Sequence, residues 1–436
     1  MSDLANDFRH HFMPFTANQD FAEAPRLVSE GKGIRLKKAN GGEVIDAVSG
    51  LFCTPAGLGR TEIADAVSEQ LRTLSYVTSF QHGHGKSFEL ASRIAALTSG
   101  DLNHLFFTNS GSEAVETALK IALAYQTAKG EPGRTRLVGR EKAYHGVNFG
   151  GLSVGGIVRN KHGFSLSLPG VVHMRHTWLE ENRFSRGQPE TGSELADDLQ
   201  RFCDTYGANT IAACIVEPVA GSIGCLPPPS GYLERLREIC TQNGILLIFD
   251  EVICGFGRLG TKFGADRFGV VPDMITMAKA LTNGAVPMGA VAVNIDIYDT
   301  LMGAAPDGAI ELFHGYTYTA HPVACAASLA SLDIYAADNL FGRAAELEKP
   351  FLDILFGMQD LPVVTDIRGI GLLGAIDMAP DGAVGKRGYK ALKAFFDEGV
   401  LVKMTGDSVI LAPPFVATED EIAEMLQKVR AVIESF

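Results

Sequence analysis

The sequence predicts an α/β protein in which a large domain with a mostly parallel sheet is joined to a smaller α+β domain. Between about residues 66 and 330, short apolar runs alternate with stretches of helical periodicity. Continuous apolar runs of this length are typical of parallel strands that helices cover on both faces. After about residue 330 the pattern changes to a strand-and-helix layer. The length of 436 residues also favours more than one domain, since a domain averages roughly 150 residues.

The ends of the chain are predicted to build the smaller domain. Asn40 and Gly41 lie between two strand-like runs, which indicates a hairpin. The last helix begins with Thr418 and Glu421, at the spacing of a capping box. We therefore expect residues 1–65 to contribute to the small domain, residues 66–330 to form the large domain, and residues 331–436 to complete the small domain.

Composition excludes several classes of partner. The 51 acidic residues outnumber the 38 basic ones, which argues against nucleic acid because such binding depends on clustered Lys and Arg. The start of the sequence lacks the apolar core of a signal peptide, and no run reaches the roughly 18 apolar residues of a membrane span. Seven scattered cysteines without a Cys-x-x-Cys spacing predict reduced thiols and no metal site. We expect a cytoplasmic protein.

A predicted strand that ends at Thr108 leads through Ser110, Gly111 and Ser112 into a long helix. Ligands of open α/β sheets bind at the carboxyl ends of the strands. The free N–H groups and the dipole of a helix amino terminus favour a phosphate group. An ordinary helix with a Ser110–Glu113 capping box would have the same pattern, so this feature alone is not specific.

Two further strand ends carry charged residues. Asp250 follows five apolar residues, and it is either a permanent anion for a bound cation or a solvated strand end. In the second case, Asp250 or Glu251 would pair with Arg258. Lys279 ends another apolar run, where a buried amine suits Schiff-base chemistry. Alternatively, the lysine extends to solvent.

One ligand would use all three features. Pyridoxal 5′-phosphate (PLP) has a phosphate for the helix terminus, a carbonyl for Lys279 and a ring nitrogen for Asp250. A borohydride-sensitive yellow colour would distinguish this hypothesis from a nucleotide-binding or non-catalytic protein on the same fold. The sequence contains neither a Walker motif nor a Gly-x-Gly-x-x-Gly run after the first strand of a βαβ unit. The absence of both motifs argues against the nucleotide-binding alternative.

The sequence resembles the class III (ω-) aminotransferases, and within them most closely the β-alanine:pyruvate aminotransferases. The resemblance rests on the runs "NSGSEAVETALK", "AYHGVNFGG", "IVEPVAGS", "IFDEVICGFGRLG", "MAKALTNGAVPMGA" and "HGYTYTAHPVACAA". It extends from "HFMPFTAN" to "APPF", which is essentially the whole chain. It implies fold type I of the PLP-dependent transferases, with a mostly parallel seven-stranded sheet in the large domain.

The resemblance also implies a role for each matching residue. Lys279 would form the Schiff base with PLP and move the proton, and Asp250 would pair with the pyridine nitrogen. The other implied cofactor contacts are Ser110, Gly111 and Ser112 to the phosphate, Tyr144 on the ring with His145 beside it, Val252 on the opposite face, Glu217 near the phenolic oxygen, and Thr317 from a neighbouring subunit. The active unit would then be a homodimer or homotetramer with shared active sites.

The substrate-binding residues implied by the resemblance are Phe52, Phe80, Ser222 and Lys403. Two of them depart from the family's pattern: Phe52 replaces the tryptophan of "SGLW", and Lys403 stands where an arginine is common. The expected reaction moves an amino group from an ω-amino acid such as β-alanine, or from a primary amine, to pyruvate. Because lysine lacks the planar fork of arginine, the alternative is an amine or diamine donor with little need for a carboxylate.

Overall fold

The computed structural model describes residues 10–164 and 166–436. Residues 1–9 lie outside the described residues. They include most of the stretch that lacks a signal-peptide core and the first part of the predicted 1–65 segment. The boundaries at residues 65 and 330 remain predictions.

Fifteen strands are assigned within the described residues, and they form three sheets. A seven-stranded sheet has the order β4-β10-β9-β8-β7-β5-β6, and two four-stranded sheets have the orders β1-β2-β3-β13 and β11-β12-β15-β14. The strands are β1 Val28–Lys32, β2 Arg35–Lys38, β3 Glu43–Asp46, β4 His104–Thr108, β5 Arg136–Arg140, β6 Val172–Met174, β7 Ile211–Val216, β8 Leu246–Asp250, β9 Met274–Met277, β10 Gly289–Val293, β11 Val364–Ile370, β12 Leu373–Met378, β13 Val400–Leu401, β14 Lys403–Thr405 and β15 Ser408–Leu411.

Helices cover these sheets, and a further short segment, Ser49–Phe52, follows β3. The α-helices are Asn18–Glu23, Thr61–Thr73, Gly85–Ala95, Gly111–Ala128, Phe149–Val154, Val158–Lys161, Asp197–Tyr206, Tyr232–Asn243, Gly264–Phe268, Ile295–Ala304, Pro322–Ala337, Leu340–Phe356, Lys386–Glu398 and Glu419–Glu434. The capping box predicted for the last helix is present, since Thr418 and Glu421 exchange bonds with each other's backbone N–H. Across the described residues, no helix combines the length and apolar character needed to cross a membrane.

The large sheet confirms the predicted fold class. Strands β5 to β9 pair in parallel, and β10 runs antiparallel to both β9 and β4. Strands β7 and β8 are buried along their whole length, which explains their continuous apolar sequences. Gly289 at the start of β10 pairs with Thr108, and the next residue pairs with Met277. The carboxyl ends of β4 and β9 therefore meet at one edge.

The two ends of the chain meet in one of the small sheets. Strands β2 and β3 form the hairpin predicted at Asn40-Gly41. Strand β3 also pairs in parallel with β13 near the carboxyl terminus. This pairing carries the backbone that follows β3, including Phe52, towards the edge of the large sheet where the site lies.

Candidate active site

A cavity of about 140 Å³ lies at the carboxyl edge of the large sheet. It brings together nine of the residues that the sequence singled out: Ser110, Gly111, Ser112, Tyr144, His145, Glu217, Asp250, Val252 and Lys279. Gly146 and Ile253 also line it, although sequence reasoning missed both. The glycine of the "YHG" run was a usable signal for Gly146, and nothing but its position beside Val252 pointed to Ile253.

Asp250 is buried and has a histidine partner. Its Oδ2 lies 2.8 Å from Nδ1 of His145, and its Oδ1 accepts a bond from the Val252 N–H. The Nε2 atom of His145 is buried and has no hydrogen-bond partner in the described part of the chain. The strand end is therefore not solvated, and Asp250 can face a cationic group in the cavity.

The alternative pairing of these acids with Arg258 is wrong. The Arg258 guanidinium donates to the Leu372 and Pro413 carbonyls and to the Ser49 hydroxyl. Glu251 instead accepts bonds from the Gly264 and Ala265 N–H groups, and burial raises the pKa of its carboxyl to about 8. Two adjacent acids thus have separate partners: Asp250 ends β8 and contacts His145, whereas Glu251 follows the strand and binds the first N–H groups of helix Gly264–Phe268.

Lys279 follows β9 and lines the cavity, so it does not extend away from the protein as the alternative required. Its backbone is left-handed, with φ of 52°. Its Nζ lies 5.1 Å from the centroid of the Phe52 ring. Burial lowers the pKa of the Lys279 amine, against the opposing effect of Asp250 and Glu217. A lowered pKa favours the neutral amine, which is the nucleophilic form.

The amino terminus of helix Gly111–Ala128 opens onto the same cavity. The Ser110 hydroxyl accepts a bond from the Glu113 N–H. The return bond of the predicted capping box is missing, because the Glu113 carboxylate accepts from the backbone and side-chain amides of Asn109 instead. The Ser112 hydroxyl accepts from the Val147 N–H, which ties the helix terminus to the loop that carries Tyr144 and His145.

Glu217 links two walls of the cavity. Its Oε1 accepts a bond from the Tyr144 N–H at 3.0 Å, and its backbone carbonyl accepts from the Arg140 guanidinium at 2.9 Å. Burial raises the pKa of the Glu217 carboxyl. These bonds fix the backbone of Tyr144 beside Glu217.

The predicted substrate-binding residues fall into two groups. Phe52 and Ser222 are buried, and the Ser222 carbonyl accepts bonds from Lys403 Nζ at 2.7 Å and from the Thr405 hydroxyl. Lys403 Nζ also donates to the Thr405 hydroxyl at 2.6 Å. Lys403 is thus held by protein groups and is not simply solvated. Burial lowers its pKa to about 8.

Phe80 and Thr317 are not among the residues that line the cavity, and neither are Phe52, Ser222 and Lys403. Phe80 and Thr317 are both exposed, and they lie on neighbouring segments: Tyr76 donates to the Thr317 carbonyl, and the Ser79 hydroxyl donates to the Thr319 carbonyl. The two residues therefore form part of one exposed surface.

The residues of the cavity fit PLP. They supply an amine at the end of one strand, a buried carboxylate at the end of the next, and the amino terminus of an 18-residue helix. Gly146 packs closely on this terminus, because a Cβ at that position would lie 2.4 Å from the Ser112 hydroxyl. An α/β fold with this site defines the PLP-dependent transferases of fold type I.

Comparison with known proteins narrows the class to one family. The chain matches the family "Aminotransferase class-III" over residues 16–433 and belongs to it. It is 51% identical to an omega-aminotransferase of Caulobacter vibrioides, over 98% of both chains. It is 49% identical to a beta-alanine–pyruvate aminotransferase of Pseudomonas aeruginosa, over 97% of this chain and 95% of the other. The omega transaminase of Pseudomonas jessenii in complex with PMP superposes with a TM-score of 0.94 at 31% identity, over 100% and 98% of the chains.

The protein is therefore an aminotransferase that depends on PLP. When bound, PLP supplies a conjugated ring that accepts the electrons released as the substrate's Cα–H bond breaks. The alternative interpretations as a nucleotide-binding or non-catalytic protein are wrong.

Proposed function

We propose that this protein transfers an amino group from an ω-amino acid such as β-alanine, or from a primary amine, to pyruvate. The observation that carries the proposal is the convergence of Lys279, Asp250 and the helix terminus on one cavity, with the cation Lys403 nearby. The two relatives that share about half of the residues are named for ω-amino-group transfer and for β-alanine with pyruvate.

In this proposal Lys279 and Asp250 are the catalytic residues. The neutral Lys279 amine would attach PLP and, as a base, would hold the proton removed from the substrate carbon. Asp250, oriented by His145, would pair with the pyridine nitrogen. Ser110, Gly111 and Ser112 bind the phosphate through the helix terminus. Tyr144 and Val252 contact the ring, and Glu217 lies near its phenolic oxygen.

We assign the substrate carboxylate to Lys403. An ammonium has three N–H donors, and two of them serve Ser222 and Thr405. The third remains for a carboxylate of pyruvate or β-alanine. Phe52 provides an apolar wall beside Lys279. The neutral tail of an amine, which does not need the Lys403 cation, can pack against this wall.

The alternative, an amine or diamine donor with little need for a carboxylate, is not favoured. A cation held in place beside the cavity suits carboxylate substrates, and the more similar relatives carry names that agree. Because Phe52 stands where the family's pattern has a tryptophan, the wall of the site stays apolar and the room for the substrate's tail is larger.

The proposed active unit is a homodimer or homotetramer in which Thr317 and Phe80 reach the site of a neighbouring subunit. Both residues are exposed and outside their own cavity, as this arrangement requires. We also propose a cytoplasmic location, in keeping with seven free cysteines.

The experiment is a donor panel with pyruvate as acceptor, in which the alanine formed is measured. We expect β-alanine and primary amines to support turnover and Lys279→Ala to abolish it. A protein that turns over amines and diamines but not β-alanine would favour the alternative. Full turnover by Lys279→Ala would reject the assignment of the site.

A further inference from the structure

The segment Ser49–Phe52 has an unusual backbone. Ser49, Gly50, Leu51 and Phe52 all have positive φ, at 49°, 64°, 112° and 65°. Three of these residues carry a side chain, for which the left-handed region is sterically disfavoured. Such a conformation persists only when surrounding groups hold it, and Phe52 at its end lies against Lys279.

Two buried charged residues hold this segment from opposite sides. The Asp46 carboxylate accepts bonds from the Val48 and Gly50 N–H groups, at 3.0 and 2.6 Å. The Arg258 guanidinium donates to the Ser49 hydroxyl at 2.9 Å, and that hydroxyl donates to the Ala412 carbonyl. Asp46, Ser49 and Arg258 are all buried.

Arg258 also connects the segment to the small-domain strands. It lies in the chain after β8 and donates to the carbonyl of Leu372, between β11 and β12, and to that of Pro413, after β15. Its guanidinium carbon lies 4.6 Å from the centroid of the Phe415 ring. One planar group thus joins the backbone after β8 to three separate pieces of chain, a geometry that the ammonium of lysine cannot reproduce.

We propose that Arg258 is a positioning residue that, through Ser49, fixes the left-handed segment Ser49–Phe52 and thereby the distance of the Phe52 ring from Lys279. This distance sets the room for the substrate's tail. The effect on substrates rests on the proposed function, whereas the effect on the segment does not.

Cys53 reports on the segment independently of catalysis. It follows Phe52 directly and is the partly exposed member of the seven free cysteines, the other six being buried. The rate of its reaction with a thiol reagent in the PLP-loaded protein measures how readily the segment moves and exposes the thiol further. Cys53→Ser identifies the signal.

The test compares Arg258→Lys with Arg343→Lys. Arg343 donates to the Phe415 and Ala417 carbonyls, both at 2.7 Å, and so holds the same carboxyl-terminal backbone without touching Ser49. Arg258→Lys should raise the reactivity of Cys53 about tenfold, the effect of one lost hydrogen bond to a charged group. It should also raise the KM for an apolar-tailed amine more than the KM for β-alanine. Arg343→Lys should change neither quantity.

Three results would overturn the proposal. The reactivity of Cys53 could stay unchanged in folded Arg258→Lys, or it could rise equally in Arg343→Lys. It could also rise in Arg258→Lys while the ratio of the KM for the apolar-tailed amine to the KM for β-alanine stays the same. If Arg258→Lys does not fold, Ser49→Ala removes only the hydroxyl and tests the same link through the same two measurements. If the wild type transfers no amino group, the proposed function fails, while the reactivity of Cys53 still decides whether Arg258 holds the segment.

Discussion

Lys279 and Lys403 show how burial prepares two amines for different tasks. Burial lowers the pKa of both amines, and the nearby charge of Lys279 lowers the pKa of Lys403 further. For Lys279 the neutral form is the useful one, because it is the nucleophile. For Lys403 the useful form is the cation, since only the cation attracts a carboxylate. The same environment therefore favours the role of one residue and limits the pH range of the other.

The first prediction concerns the pH dependence at Lys403. Its pKa of about 8 means that the cation is present below this pH and is lost as pH rises through it. We expect kcat/KM for pyruvate to fall across this range in the wild type. Lys403→Arg should keep its charge and postpone the fall, because the pKa of an arginine lies far higher. The ratio of kcat/KM in the wild type to kcat/KM in Lys403→Arg, taken at each pH, separates the effect of Lys403 from that of other titrating groups. A ratio that is constant with pH would contradict the assignment.

The second prediction concerns the removal of the same cation. Lys403→Ala should raise the KM for pyruvate and for β-alanine by roughly ten- to hundredfold, since a charged hydrogen bond contributes about 1–3 kcal/mol. The half-reaction with a neutral-tailed amine should barely change, which single-turnover absorbance measures. Equal losses for amines and keto acids would mean that Lys403 is structural.

Arg258 shows what residue-level sequence reasoning could not reach. It lies eight positions after Asp250, and proximity along the chain suggested an ion pair with Asp250 or Glu251. Its partners are instead backbone carbonyls and a hydroxyl from distant parts of the chain. Which way a long side chain turns depends on the packing of the two domains, and local sequence carries no information about that packing.

At the scale of elements, patterns with a local cause were predictable and those with a tertiary cause were not. The hairpin at Asn40-Gly41, the buried strands β7 and β8 and the cap at Thr418 each follow from turn chemistry, apolar runs or capping groups. The segment Ser49–Phe52 has no such signature, because only one of its residues is a glycine. Non-glycine residues with positive φ cost about 1–3 kcal/mol each and depend on bonds from elsewhere.

The third prediction compares the loops at the two ends of helix Gly111–Ala128. Gly146 and Gly130 both have positive φ, at 90° and 81°. A Cβ on Gly146 would lie 2.4 Å from the Ser112 hydroxyl, whereas a Cβ on Gly130 would have nothing within 4 Å. Gly146→Ala should therefore displace Ser112 and weaken cofactor binding by at least tenfold, the effect of losing one phosphate hydrogen bond.

Gly130→Ala is the matched control, because it adds the same backbone strain without the clash. It should lower the melting temperature slightly and leave the affinity for the cofactor unchanged. Titration of the cofactor-free variants with PLP measures both affinities. Equal losses in the two variants would show that backbone strain, and not the approach to Ser112, determines binding.

At the scale of the whole molecule, the sequence predicted the layers and a small domain built from both ends of the chain, but not which strands of the two ends pair. Alternating strands and helices implied the parallel sheet, and the large sheet confirms it. The parallel pairing of β3 with β13 joins residues more than 350 positions apart, and no local pattern encodes such a contact. The roles proposed for Phe80 and Thr317 in a neighbouring subunit stay predictions, because a single chain shows only that both residues are exposed.

The fourth prediction concerns assembly. Phe313, Tyr318 and Phe80 are 91%, 59% and 53% exposed, and we expect this exposed aromatic surface to be covered in an assembly. If Thr317 contacts the phosphate of a neighbouring subunit, Thr317→Ala should lose the cofactor faster on dilution than the wild type. Thr127→Ala, at an exposed position on helix Gly111–Ala128, is the control. A fully active monomer in light scattering would contradict the shared site.

The central claim, that the Lys279 amine holds the cofactor, can be measured directly. Reduction of the PLP-loaded protein with borohydride followed by peptide mass mapping identifies the modified lysine. The chain offers internal competitors, because burial also lowers the pKa of Lys142 and Lys403. We expect the added mass on the peptide that contains Lys279, and none on that peptide after Lys279→Ala. Modification of Lys142 or Lys403 in the wild type, with Lys279 left free, would contradict this account of the site.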